Sequence, residues 1–196
     1  VLLDFHLQEK KIILTGGWVG ELRKNTYQYL VSQNPWINQP LSQFNTRTTE
    51  VYGGVKGTLE NSFNYRAVAG YTEFISLPLF TNHTKGSLFT VLNESKLQAF
   101  HTQGEIGFVL QDKLNTSAKL DIYNFLLQQD QLMPWHILPV QLSAAVRWQK
   151  MKKIMVKTDF YAWQGASYKK DIAGNTGRLP AVFDLNAGAE FQVHKN

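Results

Sequence analysis

The chain of 196 residues and 22.4 kDa contains no cysteine and carries a formal net charge of +5, with a sequence pI of about 9.3. One substantial core fits in that length, but a disulfide scaffold, a thiolate nucleophile and a thiolate metal site are excluded. The basic residues are spread along the chain, with small knots at Lys10-Lys11, Lys150 to Lys153 and Lys169-Lys170; a nucleic-acid binder gathers them into an aromatic-interleaved stripe, so no nucleic-acid partner is expected.

From the N-terminus onward the governing pattern is a two-residue alternation of apolar and polar side chains. It predicts strands over Val1–Leu7, Ile12–Leu30, Thr48–Thr58, Phe63–Leu77, Leu97–Gln111, Ala118–Gln128, Ile137–Gln149, Ile154–Gln164 and Ala181–Val193, about nine in all. In Val140–Trp148, Val140, Leu142, Ala144, Val146 and Trp148 share one face, with Gln141, Ser143, Arg147 and Gln149 on the other. After Lys150 to Lys152, the apolar set Ile154, Val156, Phe160 and Ala162 opposes Lys157, Asp159 and Tyr161, which makes a hairpin. The last segment sets Phe183, Leu185, Ala187, Ala189, Phe191 and Val193 against Asp184, Asn186, Glu190 and Gln192. Most of these runs exceed the roughly 5–6 residues usual for soluble strands and match the roughly 9–11 that cross a bilayer at a tilt. No segment approaches the roughly 18 consecutive apolar residues of a spanning helix, and no helical period is sustained. A mean hydropathy of −0.26 is compatible with a membrane barrel, because half of every alternating strand is polar.

The connections alternate in length. Gln8–Lys11, Leu59–Ser62, Asp112–Ser117 and Lys150–Lys153 are short and polar, whereas Val31–Arg47, Pro78–Lys96, Gln129–His136 and Gly165–Pro180 are long and rich in Asn, Gln, Pro, Gly and aromatics. In an up-and-down antiparallel sheet this sorts all short turns to one end and all long loops to the other, as in outer-membrane barrels. Aromatics fall toward both ends: Trp18, Tyr27, Tyr29, Trp36, Phe74, Tyr123, Phe125, Trp135 and Trp163 near the long loops, Phe63, Phe108, Trp148 and Phe191 near the short turns. Two such belts around an apolar band are expected of a membrane barrel.

Charged residues on the polar face are Glu105, Lys119, Asp121, Arg147, Lys157, Asp159, Asp184 and Glu190. Their expected place is the lumen, as a lattice of ion pairs, with solute selectivity or plug docking as the functional alternative; facing lipid, Lys or Arg would cost roughly 2–4 kcal/mol at the midplane. Tyr27 to Trp36, Trp135-His136 and Trp163 to Tyr168 place aromatics beside polar groups, which makes Trp36, Trp135 and Trp163 candidates for stacking against an external ligand.

For covalent chemistry there is little. His6, His83, His101, His136 and His194 are scattered without metal spacing or an HExxH motif, no Gly-x-Ser-x-Gly elbow exists, and His101 could meet Ser143 only by accident of register. No catalytic, cofactor or metal site is expected. The sequons at Asn82, Asn93 and Asn115 would carry no meaning in a bacterial outer membrane.

The stretch Leu138 to Asn196, with LPVQLSAAVRWQKMKKIMVKTDFYAWQG, a long loop and LPAVFDLNAGAEFQVHKN, resembles the C-terminal barrel region of TonB-dependent-receptor-like outer-membrane proteins of Gram-negative bacteria. There a hydrophobic-Asp-Leu-Asn-x-Gly-x-Glu-aromatic phrase, here Phe183 to Phe191, begins one of the last strands before a final hairpin. The resemblance implies an all-β fold, an antiparallel up-and-down transmembrane β-barrel with short periplasmic turns and long external loops. Full-size members are about 22-stranded with a plugged lumen. The segment 1–196 is therefore expected to be a barrel fragment lacking the N-terminal plug and the final hairpin, with no leader visible before Val1.

The resemblance further implies bacterial outer-membrane localisation, solute uptake or surface ligand binding, contact with outer-membrane lipid, a TonB complex reached through the absent plug, and no enzymatic activity. Two alternatives stay open: a soluble lipocalin-like barrel with an apolar ligand inside, and an outer-membrane enzyme. The soluble alternative inverts the faces. It places Val140, Leu142, Val146, Leu185 and Phe191 indoors and Arg147, Asp159, Asp184 and Glu190 in water.

Overall fold

A computed structural model describes residues 1–38, 44–82, 88–111, 113–151, 153–170 and 175–191. The strands are β1 (Leu2–Gln8), β2 (Ile12–Lys24), β3 (Asn45–Leu59), β4 (Phe63–Asn82), β5 (Phe89–Leu110), β6 (Leu114–Gln128), β7 (Val140–Met151), β8 (Ile154–Gln164), β9 (Ser167–Lys169), β10 (Thr176–Arg178) and β11 (Val182–Phe191), with one helix, α1 (Tyr27–Gln33), between β2 and β3. Nine strands form one antiparallel sheet in the order β1-β2-β3-β4-β5-β6-β7-β8-β11, and β9 and β10 make a separate two-stranded ribbon. Among the described residues the sheet is an open up-and-down meander, the all-β barrel-like wall expected from the alternation, and it does not close on itself.

Among the described residues the ladder is regular enough to assign faces by parity. Trp18, Val51, Tyr71 and Phe100 stand in register across β2–β5 on one face, while Gly17, Tyr52, Gly70 and His101 stand in the adjacent row on the other. The first face is apolar and open: Phe5, Trp18, Val51, Ile106, Leu126, Leu142, Trp148, Leu185 and Phe191 are all exposed, Leu185 to 67%. The second is crowded. Thr15, Thr46, Val68, Thr72, Ala99 and His101 are buried on it, as side chains are on the inside of a curved wall.

Three turns are tight, closed by Lys11 N–H donating to Gln8 O, Ser62 N–H to Leu59 O and Lys113 N–H to Leu110 O. Left-handed backbone at Glu9, Glu60, Asn61 and Gln111 makes these reversals. The turn before β6 is tighter than Asp112–Ser117, since β6 already begins at Leu114.

The long-loop end departs further from the sequence reading. Instead of continuing to Leu30, β2 stops at Lys24 because Thr26 caps a helix, its side-chain oxygen accepting the Tyr29 N–H at 3.2 Å. Seven residues cannot display a helical period, so a cap was the one readable signal. β4 and β5 run on past the expected Leu77 and Leu97 to Asn82 and Phe89. They do so through a slip of phase. Inward positions are Thr72 and Phe74, then Leu77 and Leu79; on the partner strand they are Ala99 and Leu97, then Glu94 and Leu92. Ser76 absorbs the slip with φ +58°, held by the Thr46 hydroxyl, which donates to Ser76 O at 2.8 Å. Across the slip, Leu77, Leu79, Leu97 and Trp135 form a buried cluster against Phe74, Leu92, Phe125, Met133 and Ile137. The ribbon β9–β10 lies within the expected loop Gly165–Pro180, and the end of the expected last strand, residues 192–193, lies outside the described residues, as do His83 and His194.

Candidate functional site

The crowded face carries a connected set of charges positioned by the register. Arg66 on β4 pairs with Glu105 on β5 at 3.7 Å and also donates to the Gln103 side chain. Gln103 donates to Asp121 on β6 at 2.9 Å, and Lys119 reaches the same carboxylate at 3.1 Å. His101 lies between Asp121, 3.2 Å from Nε2, and Glu50 of β3, 2.8 Å from Nδ1, with its ring stacked on Tyr123 at 4.2 Å. Further along, Arg147 of β7 donates to Asp159 of β8 at 2.6 Å and to the Thr158 carbonyl at 3.1 Å, and Lys157 pairs with Glu190 of β11. At the opposite edge Lys56 of β3 reaches Asp4 of β1 at 2.7 Å.

Of the eight charged positions singled out from sequence, seven are therefore in ion pairs on this face. The eighth, Asp184, accepts from the Asn186 side chain at 3.2 Å. Glu50, Lys56, Arg66 and Gln103 were missed and His101 was weighed only as a base, although all obey the same parity; extending the alternation of Val140–Phe191 back through β3–β5 would have found them. Both His101 ring nitrogens are taken by carboxylates, so His101 does not serve Ser143 as a base. Among the described residues no group of three His, Asp or Glu side chains is placed to hold a metal ion.

The aromatic belts are partly redistributed. Outward at the upper end stand Trp18, Tyr71 and Phe100, and outward at the lower end Phe63, Phe108 and Trp148. Phe74, Tyr123 and Phe125, expected in the upper belt, point inward instead. Tyr123 and Phe125 stack at 6.3 Å and, with Phe74, wall a cavity of about 350 Å³ beneath α1 and the 135–141 segment. Tyr29, Trp135, His136, Gln141 and Arg23 are among its other lining residues. The Arg23 guanidinium stacks over the Tyr29 ring at 5.1 Å.

The three loop tryptophans are not gathered together. Trp135 is 6% exposed and lines the cavity. Trp36 is 65% exposed and its carbonyl accepts from Phe89 N–H at 2.9 Å. Trp163 sits opposite Val182 on the inward side at the end of β8.

The floor of the loop region is anchored by a residue that no motif signals. Glu94, 0% exposed, accepts hydrogen bonds from the backbone N–H groups of Gln129, Asp130 and Gln131 at 2.8, 2.9 and 2.8 Å. In return the Asp130 carboxylate accepts the Ser95 N–H at 2.8 Å. This double clasp fixes the start of the segment that carries Trp135 and His136.

No family model and no curated protein matches the chain. Solved structures do. The chain superposes on the copper transporter OprC with a TM-score of 0.62 at 13% identity, covering all of this chain and 31% of that one. It superposes on the siderophore receptor PirA from Acinetobacter baumannii with a TM-score of 0.67 at 10% identity, covering 97% and 34%. For the ferric enterobactin receptor PfeA from Pseudomonas aeruginosa, in complex with enterobactin, the values are 0.61 and 13%, covering 100% and 33%. The chain thus spans about a third of the length of the structures it matches. At this identity what is shared is the fold, the antiparallel barrel wall of these three proteins, and it agrees with the fold that the resemblance of Leu138–Asn196 implied.

Proposed function

We propose that the chain forms part of the wall of an outer-membrane barrel that captures or passes a solute entering from its long-loop side. The observation that carries this reading is the inversion of the faces: large apolar side chains stand open on one side, while among the described residues every ion pair except Lys96–Glu73, near the long-loop end, lies on the crowded side. Lipid on the open face and a polar lumen on the other make that arrangement favourable. A soluble lipocalin-like barrel requires the reverse. Among the described residues the edge strands β1 and β11 each pair on one side only, and bare N–H and C=O groups cost several kcal/mol each in hydrocarbon, so the sheet is read as joined to further strands of a larger barrel. The charged lattice then lines the lumen or meets a plug, through which a TonB complex would act. The cavity walled by Tyr29, Phe74, Tyr123, Phe125 and Trp135 is the proposed place of ligand contact.

None of the 196 residues is cysteine, so once any cysteine outside them is replaced a single label reports on one position. A nitroxide on Leu142→Cys in the whole protein, reconstituted in vesicles, should collide with oxygen and be shielded from an aqueous nickel chelate, whereas a nitroxide on Ser143→Cys should show the opposite preference. Shielding of the Leu142 label from both reagents would place the apolar face indoors and favour the soluble barrel.

A further inference from the structure

The open face is not apolar along its whole height. Beyond the register row Trp18–Val51–Tyr71–Phe100, the next outward row is Gly20–Thr49–Glu73–Gln98, and the one after it is Leu22–Arg47–Ile75–Lys96, with Lys24 and Asn45 two residues further. Three cations, Lys24, Arg47 and Lys96, thus stand on the lipid side just past the aromatic row, against one acid. Lys96 is paired with Glu73 at 2.8 Å, and Gln98 also donates to Glu73 at 3.0 Å. Among the described residues Lys24 and Arg47 form no ion pair, and both are exposed. Glu21 falls on the inward face, and Asp130 is turned onto the Ser95 N–H. The patch is therefore net positive. Two strand spacings separate Arg47 from Lys96, about 10 Å, a span that long flexible side chains close around one phosphate-bearing headgroup.

We propose that Lys24, Arg47 and Lys96 seat the phosphate headgroup of an anionic lipid in the leaflet at the long-loop end of the wall, its acyl chains lying on the Trp18–Tyr71–Phe100 row. This rests on the membrane reading above. Charge decides the partner: a neutral headgroup gains nothing from three cations, whereas each Lys or Arg near a membrane surface contributes to holding an anionic one. Aromatic rings at the headgroup level and cations just beyond them are the order in which a bilayer presents acyl chains and then phosphates.

The test uses the whole protein in phosphatidylcholine nanodiscs, with and without a minor fraction of lipid A as the phosphorylated probe, reading retained lipid by native mass spectrometry. Lipid A should be retained over phosphatidylcholine, and Arg47→Gln and Lys24→Gln should each weaken retention about fivefold, more weakly at high salt. Glu73→Gln should strengthen it about as much, because it removes the one opposing charge; a merely structural Glu73–Lys96 pair predicts no gain. Equal retention by all variants, or displacement of lipid A by inorganic phosphate at matched concentration, would overturn the proposal while leaving the barrel reading intact. A wild-type protein that does not enter phosphatidylcholine nanodiscs at all would overturn both.

Discussion

Glu94 and Asp130 illustrate how much of this structure is decided by single side chains whose partners are remote in sequence. A buried carboxylate persists only if its lone pairs are satisfied, and Glu94 finds three backbone donors 35 to 37 residues away. Glu94→Ala leaves those N–H groups unpaired at about 1–3 kcal/mol each. In the whole protein, amide exchange at Gln129–Gln131 should then accelerate about a hundredfold, and unchanged protection there would remove the clasp from the account. The reciprocal contact is sensitive to pH. The Ser95 side chain and its backbone N–H beside Asp130 hold that exposed carboxyl below its ordinary value of 3.8, so the contact stabilises the loop in full above that pH and is lost as pH falls through the lowered value. Exchange at the Ser95 amide, corrected for its intrinsic rate, should show that loss and should not show it in Asp130→Asn. None of this was legible, because Asn93-Glu94-Ser95 reads as a loop sequon. Arg147 with Asp159 was legible, since two like-phased strands joined by a short turn put opposite charges side by side.

At the scale of elements, the strands were readable wherever one face met a uniform environment and unreadable wherever the chain left it. β7, β8 and β11 follow their expected bounds closely. Past the slip at Ser76 the environment becomes loop-packed on the inward side, the phase changes, and alternation no longer marks where β4 and β5 end. The same reason hides α1 and the β9–β10 ribbon, whose partners are loops. The glycines divide into two kinds that sequence cannot separate. A Cβ at Gly57 would lie 1.9 Å from the Lys11 carbonyl oxygen, where the β2 turn crosses β3, whereas a Cβ at Gly104 meets nothing within 4 Å. Gly57→Ala should therefore lower the urea midpoint of the whole protein in vesicles by a shift worth about 1–3 kcal/mol, and Gly104→Ala should leave it unchanged or raise it slightly. Equal effects at the two sites would mean that the crossing at Lys11 is looser than described.

For the whole molecule, architecture was the most legible level. Strict alternation of short and long connections already dictated an up-and-down meander, and the open nine-stranded sheet agrees with it. The cavity beneath the loops was not legible, because Phe74, Tyr123 and Phe125 look like belt residues until the register turns them inward. An open apolar face of this extent is larger than soluble monomers tolerate, which sets the expected solution behaviour. In detergent the whole protein should retain β circular dichroism and migrate differently on gels before and after boiling; in buffer without amphiphile it should aggregate. A cooperatively melting, monodisperse protein in buffer alone would contradict the membrane reading.

The slip at Ser76 bears on how such a protein can change over generations. Because β4 and β5 shift together, their mutual register is kept across it, Ile75 with Lys96 below and Leu77 with Glu94 above. The hairpin above that joint answers to its own packing code, while the rows beneath answer to the bilayer. Insertions or exchanges of that tip can therefore accumulate as a cassette without rewriting the wall, and an engineer transplanting a foreign tip would cut at Ser76 and Ser95.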